Sequence, residues 1–240
     1  MALIPISGNH VQNVAVDSFT PSDESTLNQG DRDLGAGGAA ILINLPSNKQ
    51  HVVGGGKGAT FAGELYVLDS ASLGGFLQGA GGTDSVIQEF SFNHAIFATG
   101  AFWQNTLYIA GVNGPVQAFA LNPATNTFGA SATSSSSASY GFPGATPSVS
   151  SSRNTNGIVW ALNNSAYCTA QSKSCGPAVL HAYDATNRGT ELWNSGTSAG
   201  NAVKFTVPTV ANGKVYVGTR GSSSTGGGVG ELDVYGLLPN

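Results

Sequence analysis

Charge is the scarcest commodity in this chain. Asp, Glu, Lys and Arg together supply 9% of the 240 residues, against about 25% in an ordinary globular domain. No basic run occurs and the formal net charge is −4, so the electrostatic footprint of a nucleic-acid groove or an anionic-membrane patch is missing. No apolar run reaches the length of roughly 18 residues that a membrane span needs. The opening "MALIPISGNH" lacks the positive n-region and the apolar core of a signal peptide. Amphipathic helical patterns of ten or more residues are also lacking. Cysteine is limited to Cys168 and Cys175, in "CTAQSKSC". That gap does not fit C-x-x-C redox or zinc spacing, and no His lies near enough to complete a zinc set. A loop-stapling disulfide, and with it an oxidising compartment, is expected; two free thiols in a cytosolic loop are the alternative.

Glycine is abundant, with 34 residues, and 40% of the chain is hydrophobic. A sizeable core can therefore be buried, and the low charge with many Gly, Ser and Thr residues suits tight turns between short strands rather than disorder. One strand outline is written four times: "QHVVGGG" 50–56, "NTLYIAG" 105–111, "NGIVWAL" 156–162 and "VANGKVYVGT" 210–219. A second outline follows each copy: "GELYVLD" 63–69, "VQAFALN" 116–122, "VLHAYDA" 179–185 and "ELDVYGL" 231–237. With Asp69, Asn122, Asp184 and Gly236 taken as equivalent, the steps are 53, 62 and 52 residues. These segments alternate with the period of two that marks β-structure.

A strand is expected before each pair ("AAILINL", "AIFATGAFW", "TPSVSS", "KFTVPTV") and one after the first three ("GGFLQ", "TFGASA", "ELWNS"). Four antiparallel strands in a unit of roughly 50–60 residues have the size of a propeller blade. The expected fold is an all-β propeller of about four such blades in one domain, 1–240. Residues 1–30 form an N-terminal closing strand and loop, and the blades fall approximately at 31–90, 91–140, 141–200 and 201–240. The Ser-rich tract 131–139 and "GSSSTGGGVG" 221–230 read as loops. The last blade is one strand short, and "QNVAVDSFTP" 12–21 is the candidate to complete it, because closure removes an exposed edge. It can do so within one chain, or in a second copy to make an eight-bladed ring, the arrangement slightly preferred.

The phrases "GGGKGATFAGELYVLD", "GFPGATPSVSS", "NGIVWAL", "GPAVLHAYDATN" and "AVKFTVPTVANGKVYVGT" resemble the quinoprotein-type, PQQ-like repeat propellers. The likeness runs from about residue 17 to 238 and is similar to the C-terminal half of large secreted bacterial proteins of that repeat type. It implies a propeller, export to a secreted or periplasmic location, and partners in the form of a second copy or of blades preceding residue 1. Quinoprotein dehydrogenases of this kind hold pyrroloquinoline quinone with a Trp, an adjacent-cysteine disulfide and Ca²⁺ ligated by Glu, Asn and Asp. This chain has no adjacent cysteine pair, and Trp103, Trp160 and Trp193 fall in strand segments where packing is the commoner role. No cofactor is therefore expected, and the reading leans away from an enzyme; a PQQ-dependent dehydrogenase is the activity the resemblance would imply.

"DRDLG" 31–35 sets Asp31 and Asp33 two apart before a glycine, a minimal pair of Ca²⁺ ligands; an aspartate-capped turn is the competing reading. "GGGKGAT" 54–60 departs from a Walker loop, because Gly58 follows Lys57 where Ser or Thr is required. Lys57 and Lys204 stand in Gly-rich or apolar surroundings. Each either binds an anion in an axial channel or pairs with an acidic neighbour, and pairing is favoured. "GTSAG" 196–200 matches G-x-S-x-G, but a strand-like segment follows it in place of the helix that a nucleophile elbow needs. Asn163-Asn164-Ser165 is a glycosylation sequon, relevant only in a eukaryotic secretory path. The reading is a non-catalytic binding or scaffold module. A quinoprotein-like oxidoreductase fragment and a carbohydrate or cell-surface adhesion module are the alternatives.

Overall fold

The structure, a computed structural model, describes residues 1–4, 6–7, 10–11, 15–38, 41–45, 49–58, 60, 62–169, 175–221 and 229–236. The chain divides into two compact units, Met1–Ala95 with Asn122–Phe128, and Ile96–Leu121 with Gly129–Asn240. The protein is all-β, with one six-residue α-helix and one 3-10 turn among the described residues.

In the first unit, β1 (Ala2–Leu3) is followed by the short hairpin of β2 (Ile6–Ser7) and β3 (His10–Val11), then by β4 (Asp17–Thr20). Helix α1 (Glu24–Gln29) buries Leu27, and a 3-10 turn (Leu34–Gly37) follows. The main sheet is an antiparallel meander of β5 (Ile41–Asn44), β6 (Gln50–Gly56), β7 (Glu64–Asp69) and, after the short β8 (Gly75–Phe76), β9 (Gln88–Ser91). Phe19, Tyr66, Leu68 and Leu73 form its buried cluster.

Two expectations are corrected in this unit. "GGFLQ" does not supply the fourth strand: β9 does, and Gly75–Phe76 pairs in parallel with β4. The closing segment 12–21 forms a strand at Asp17–Thr20 whose two edges pair with β1 and β8; residues 12–14 lie outside the described residues. Phe76 and Leu77 are each about two-fifths exposed, so the apolar look of "GGFLQ" is not a core signal.

The second unit carries three successive antiparallel sheets. The first joins β10 (Ala101–Trp103), β11 (Thr106–Ile109), β12 (Gly114–Asn122, whose last residue belongs to the other unit) and, beyond β13 (Thr127–Phe128), β14 (Ser134–Tyr140). β13 itself belongs to the first unit, where the Gln88 amide donates to the Phe128 carbonyl at 2.9 Å and accepts from its N–H at 2.7 Å. The next sheet is β15 (Ser148–Ser152), β16 (Thr155–Asn163), β17 (Pro177–Asp184) and β18 (Asn187–Asn194). The short β19 (Ala199–Asn201) then bridges to β20 (Thr209–Ala211), β21 (Lys214–Arg220) and β22 (Gly230–Gly236).

Asn212 and Gly213, at φ 50° and 71°, turn β20 into β21 by the Asn-Gly hairpin that the right-handed strand twist favours. The inner strands of the β15–β18 sheet, β16 and β17, are buried on both faces. Val159, Ala161 and Tyr183 pack with Tyr108, Val116 and Tyr140 of the preceding sheet. Leu162, Ala178 and Leu180 pack with Ala199, Val215 and Val217 of the following one. Period-two alternation sends successive residues to opposite faces, which is why this strand reads as a nearly continuous apolar run.

The Ser-rich tract is a further correction: Ser134–Tyr140 is a strand, not a loop. Register between β12 and β14 shifts at Pro115/Gln117, and Ser136 Oγ accepts a hydrogen bond from the freed Val116 N–H at 2.9 Å. A serine thus completes the backbone pairing that a bulge interrupts. The expected loop 221–230 lies mostly outside the described residues.

Candidate functional site

The two lysines singled out in the sequence have different surroundings. Lys57 leaves the end of β6 in the first unit, beside the loop 31–35. Close approach there depends on Gly56, where a Cβ would fall 2.2 Å from the Asp33 carbonyl oxygen and 2.7 Å from Leu34 Cα. Across that contact Lys57 N–H donates to the Asp33 carbonyl at 3.3 Å. The ammonium lies 2.7 Å from Asp33 Oδ2 and 3.7 Å from Asp31 Oδ2, and donates to the Asp31 carbonyl at 2.8 Å. The lysine side chain is 9% exposed, whereas Asp31 and Asp33 reach into solvent. Its hydrogen bond to Asp33 raises the lysine pKa against the opposing effect of burial, with the nearby Asp31 charge adding to the rise. The ammonium thus sits among the oxygens that "DRDLG" offered to Ca²⁺. A recess of about 580 Å³ opens beside this pair, lined by Phe19, Leu27, Leu34, Glu24 and Arg32 among others.

Lys204 belongs to the second unit, in the connection between β19 and β20. Its ammonium lies 4.8 Å from the Tyr167 ring centroid and 5.7 Å from that of Phe142, within the range of cation–π attraction. Phe142 is the centre of an aromatic group, 5.0 Å from Phe97 and 6.2 Å from both Tyr167 and Phe205. Phe205 is held at φ 65° and stays 56% exposed, a costly backbone setting for a bulky residue that keeps its ring at the surface.

Opposite, Arg220 at the end of β21 reaches Cys168 Sγ at 3.6 Å, and Cys168 is bonded to Cys175 with the two Cα atoms 4.6 Å apart. The resulting recess of about 370 Å³ is lined by Tyr167, Cys168, Val203, Lys204, Phe205 and Arg220. Among the described residues its lining holds two cations and no carboxylate, and no carboxylate lies within 4.0 Å of the Lys204 ammonium.

A set of polar contacts, buried at the tyrosines and exposed at Glu191 and Asn194, runs through the middle sheet of the same unit. His181 Nδ1 meets Glu191 Oε1 at 2.8 Å, Asn194 donates to the same oxygen at 2.8 Å, and the Tyr140 and Tyr183 hydroxyls bond at 3.0 Å. Burial opposes ionisation of Glu191, but the hydrogen bonds from His181 and Asn194 outweigh it and leave its pKa below the usual value. Ser198 of "GTSAG" donates its hydroxyl to the Ser195 carbonyl at 2.7 Å, and the strand β19 starts at the next residue. Asn163 of the sequon accepts from the Ser165 N–H and hydroxyl, an Asx-type turn. No group of three or more His, Cys, Asp or Glu residues that could hold a metal occurs among the described residues.

Sequence reasoning named Lys57, Lys204 and both cysteines but missed Arg220, Tyr167, Phe142 and Phe205. Arg220 ends a strand whose residues after Lys214 are otherwise neutral, the one signal that marked it. The aromatic residues come from separate segments, and only folding brings them together.

The site and sheets define an all-β protein of successive antiparallel meanders with a cationic, aromatic-lined recess. No protein-family model matches the chain, and neither does any curated protein. Among solved structures it is similar to two computationally designed proteins. The crystal structure of the designed Ika8 protein gives a TM-score of 0.46 and 12% identity, over 82% of this chain and 45% of that one. The crystal structure of the designed Ika4 protein gives 0.46 and 13%, over 78% and 86%. The chain spans less than half the length of the Ika8 chain.

Proposed function

We propose that this protein is a non-catalytic binding module, a β-propeller of the PQQ-like repeat type whose four meanders serve as blades and whose ligand enters the Lys204 recess. One contrast supports the reading. In a chain this poor in charge, Lys57 is neutralised by two aspartates, whereas Lys204, near Arg220, rests on aromatic faces and has no carboxylate within 4.0 Å among the described residues. An ammonium over half-buried rings with a guanidinium nearby suits a ligand that combines a carboxylate or sulfate with a ring presenting an apolar face. An acidic sugar unit meets that description, and the recess volume lies within the usual range for small-ligand sites. The Cys168–Cys175 bond favours an oxidising, secreted or periplasmic setting.

A thermal-shift panel of acidic sugars, their neutral counterparts and PQQ with Ca²⁺ tests the proposal. Acidic sugars raise the melting temperature of the native protein, leave the Lys204→Ala variant unmoved, and exceed the neutral sugars in effect. A quinone absorption band with dye-linked oxidation after addition of PQQ and Ca²⁺ overturns the non-catalytic reading in favour of a quinoprotein-like oxidoreductase.

A further inference from the structure

In the last sheet, β21 pairs with β19 and β20 on one edge and with β22 on the other. Strand β22 pairs with β21 along its whole length, from Arg220↔Gly230 to Lys214↔Gly236, and no described strand pairs with its other edge. That edge is apolar as well as open: Leu232 is 63% exposed and Val234 48%. An exposed strand of this kind templates the addition of another strand. The candidate within the chain, Asp17–Thr20, already has a neighbour on each edge.

We infer that the edge of β22 is a self-association surface, taken by β22 of a second copy in antiparallel register about Asp233. The sequence Gly230-Glu231-Leu232-Asp233-Val234-Tyr235-Gly236 reads with the same character in both directions. Turned about Asp233, it sets Gly against Gly, Glu231 against Tyr235, and Leu232 against Val234. Between the terminal glycines and the axis, the cross-strand pairs match apolar with apolar and a carboxylate with a phenol, and a two-fold axis repeats every contact. The pairing also brings two Asp233 residues together at the axis. Asp233 Oδ2 accepts from the Thr219 hydroxyl at 2.7 Å and from the Gly200 N–H at 3.4 Å. Those bonds draw its carboxylate toward β21 and β19, away from the shared edge. The surface is separate from the Lys204 recess and stands or falls without it.

Light scattering on a size-exclusion column reads the outcome. The native chain of 24.2 kDa runs at twice that mass, and the double variant Leu232→Lys with Val234→Lys runs at the single-chain mass with an unchanged far-ultraviolet spectrum. Register has its own test: Asp233→Cys cross-links two chains under mild oxidation, whereas Gly230→Cys, at the far end from the axis, does not. A native protein that stays at the single-chain mass across the accessible concentration range overturns the inference. So does a dimer that the double variant leaves intact, or cross-linking through Gly230→Cys in place of Asp233→Cys.

Discussion

Single side chains in this protein carry polar obligations that few charges are present to meet. His51 is 2% exposed, and both ring nitrogens are without a hydrogen-bond partner among the described residues. An unmet buried polar group is costly, by roughly 1–3 kcal/mol, so His51→Leu is expected to raise the denaturant midpoint by about 1 kcal/mol of stability. Gly56→Ala has the opposite sign. Its Cβ would strike the Asp33 carbonyl oxygen and Leu34, and the strand must part from the loop, at a cost of about 1–3 kcal/mol in chemical denaturation. Lys57 adds a pH signature. Its folded pKa is raised, first by the hydrogen bond to Asp33, so its contribution is complete below the ordinary lysine value of about 10.4. That contribution is lost as pH rises through the folded value. A Lys57→Met variant is expected to show a flatter alkaline limb in its stability profile than the native protein; an identical limb would remove the pairing from the account.

Strands differ in how openly the sequence announces them. The inner pairs were legible because Val, Leu, Ile and Tyr alternate with small residues between Gly and Asn turns: the expected 50–56 and 63–69 match the observed Gln50–Gly56 and Glu64–Asp69 almost residue for residue. Two outer strands were not. "QEFS" at β9 and "SSSSASY" at β14 carry the composition of loops, yet hydroxyl and amide side chains are well suited to a sheet margin, where they bond the backbone. The same device appears twice, as Ser136 Oγ accepts from the Val116 N–H and Ser195 Oγ from the Leu180 N–H, each at 2.9 Å. Ser136→Ala is therefore expected to cost about 1–3 kcal/mol by orphaning a buried N–H, whereas Ser137→Ala, at an exposed position of the same strand, changes the midpoint little. Equal effects of the two would deny the serine its role at the bulge. The recess was half legible for a related reason: Lys204 stands out against its neighbours, but its convergence with Tyr167, Phe142 and Arg220 is a property of tertiary packing.

Across the whole molecule, the two units are set to respond to acid in opposite ways. In the first, burial raises the carboxyl pKa values of Asp23, Glu64 and Glu89, with repulsion among the acidic groups adding to it. Groups raised in the folded state are destabilising when ionised, so mild acid relieves them as pH falls toward the ordinary carboxylate values. In the second unit Asp184 is lowered, chiefly by the Thr186 hydroxyl, and Glu191 is lowered by His181 and Asn194 despite burial. Their contribution is present above the ordinary values and is lost as pH falls through the depressed folded ones. Trp103, Trp160 and Trp193 all lie in the second unit, so tryptophan fluorescence follows that unit alone. Its thermal midpoint is expected to drop in strong acid, less steeply in a Glu191→Gln variant. The claim on which the functional account rests is the anion-binding recess, and calorimetric titration of a hexuronate oligosaccharide into the native protein and Lys204→Ala tests it most directly. The account predicts saturable binding that weakens with salt and falls at least tenfold, about 1.4 kcal/mol, in the variant. Heat that is absent for the acidic ligand, or an affinity unchanged by the loss of Lys204, would contradict it.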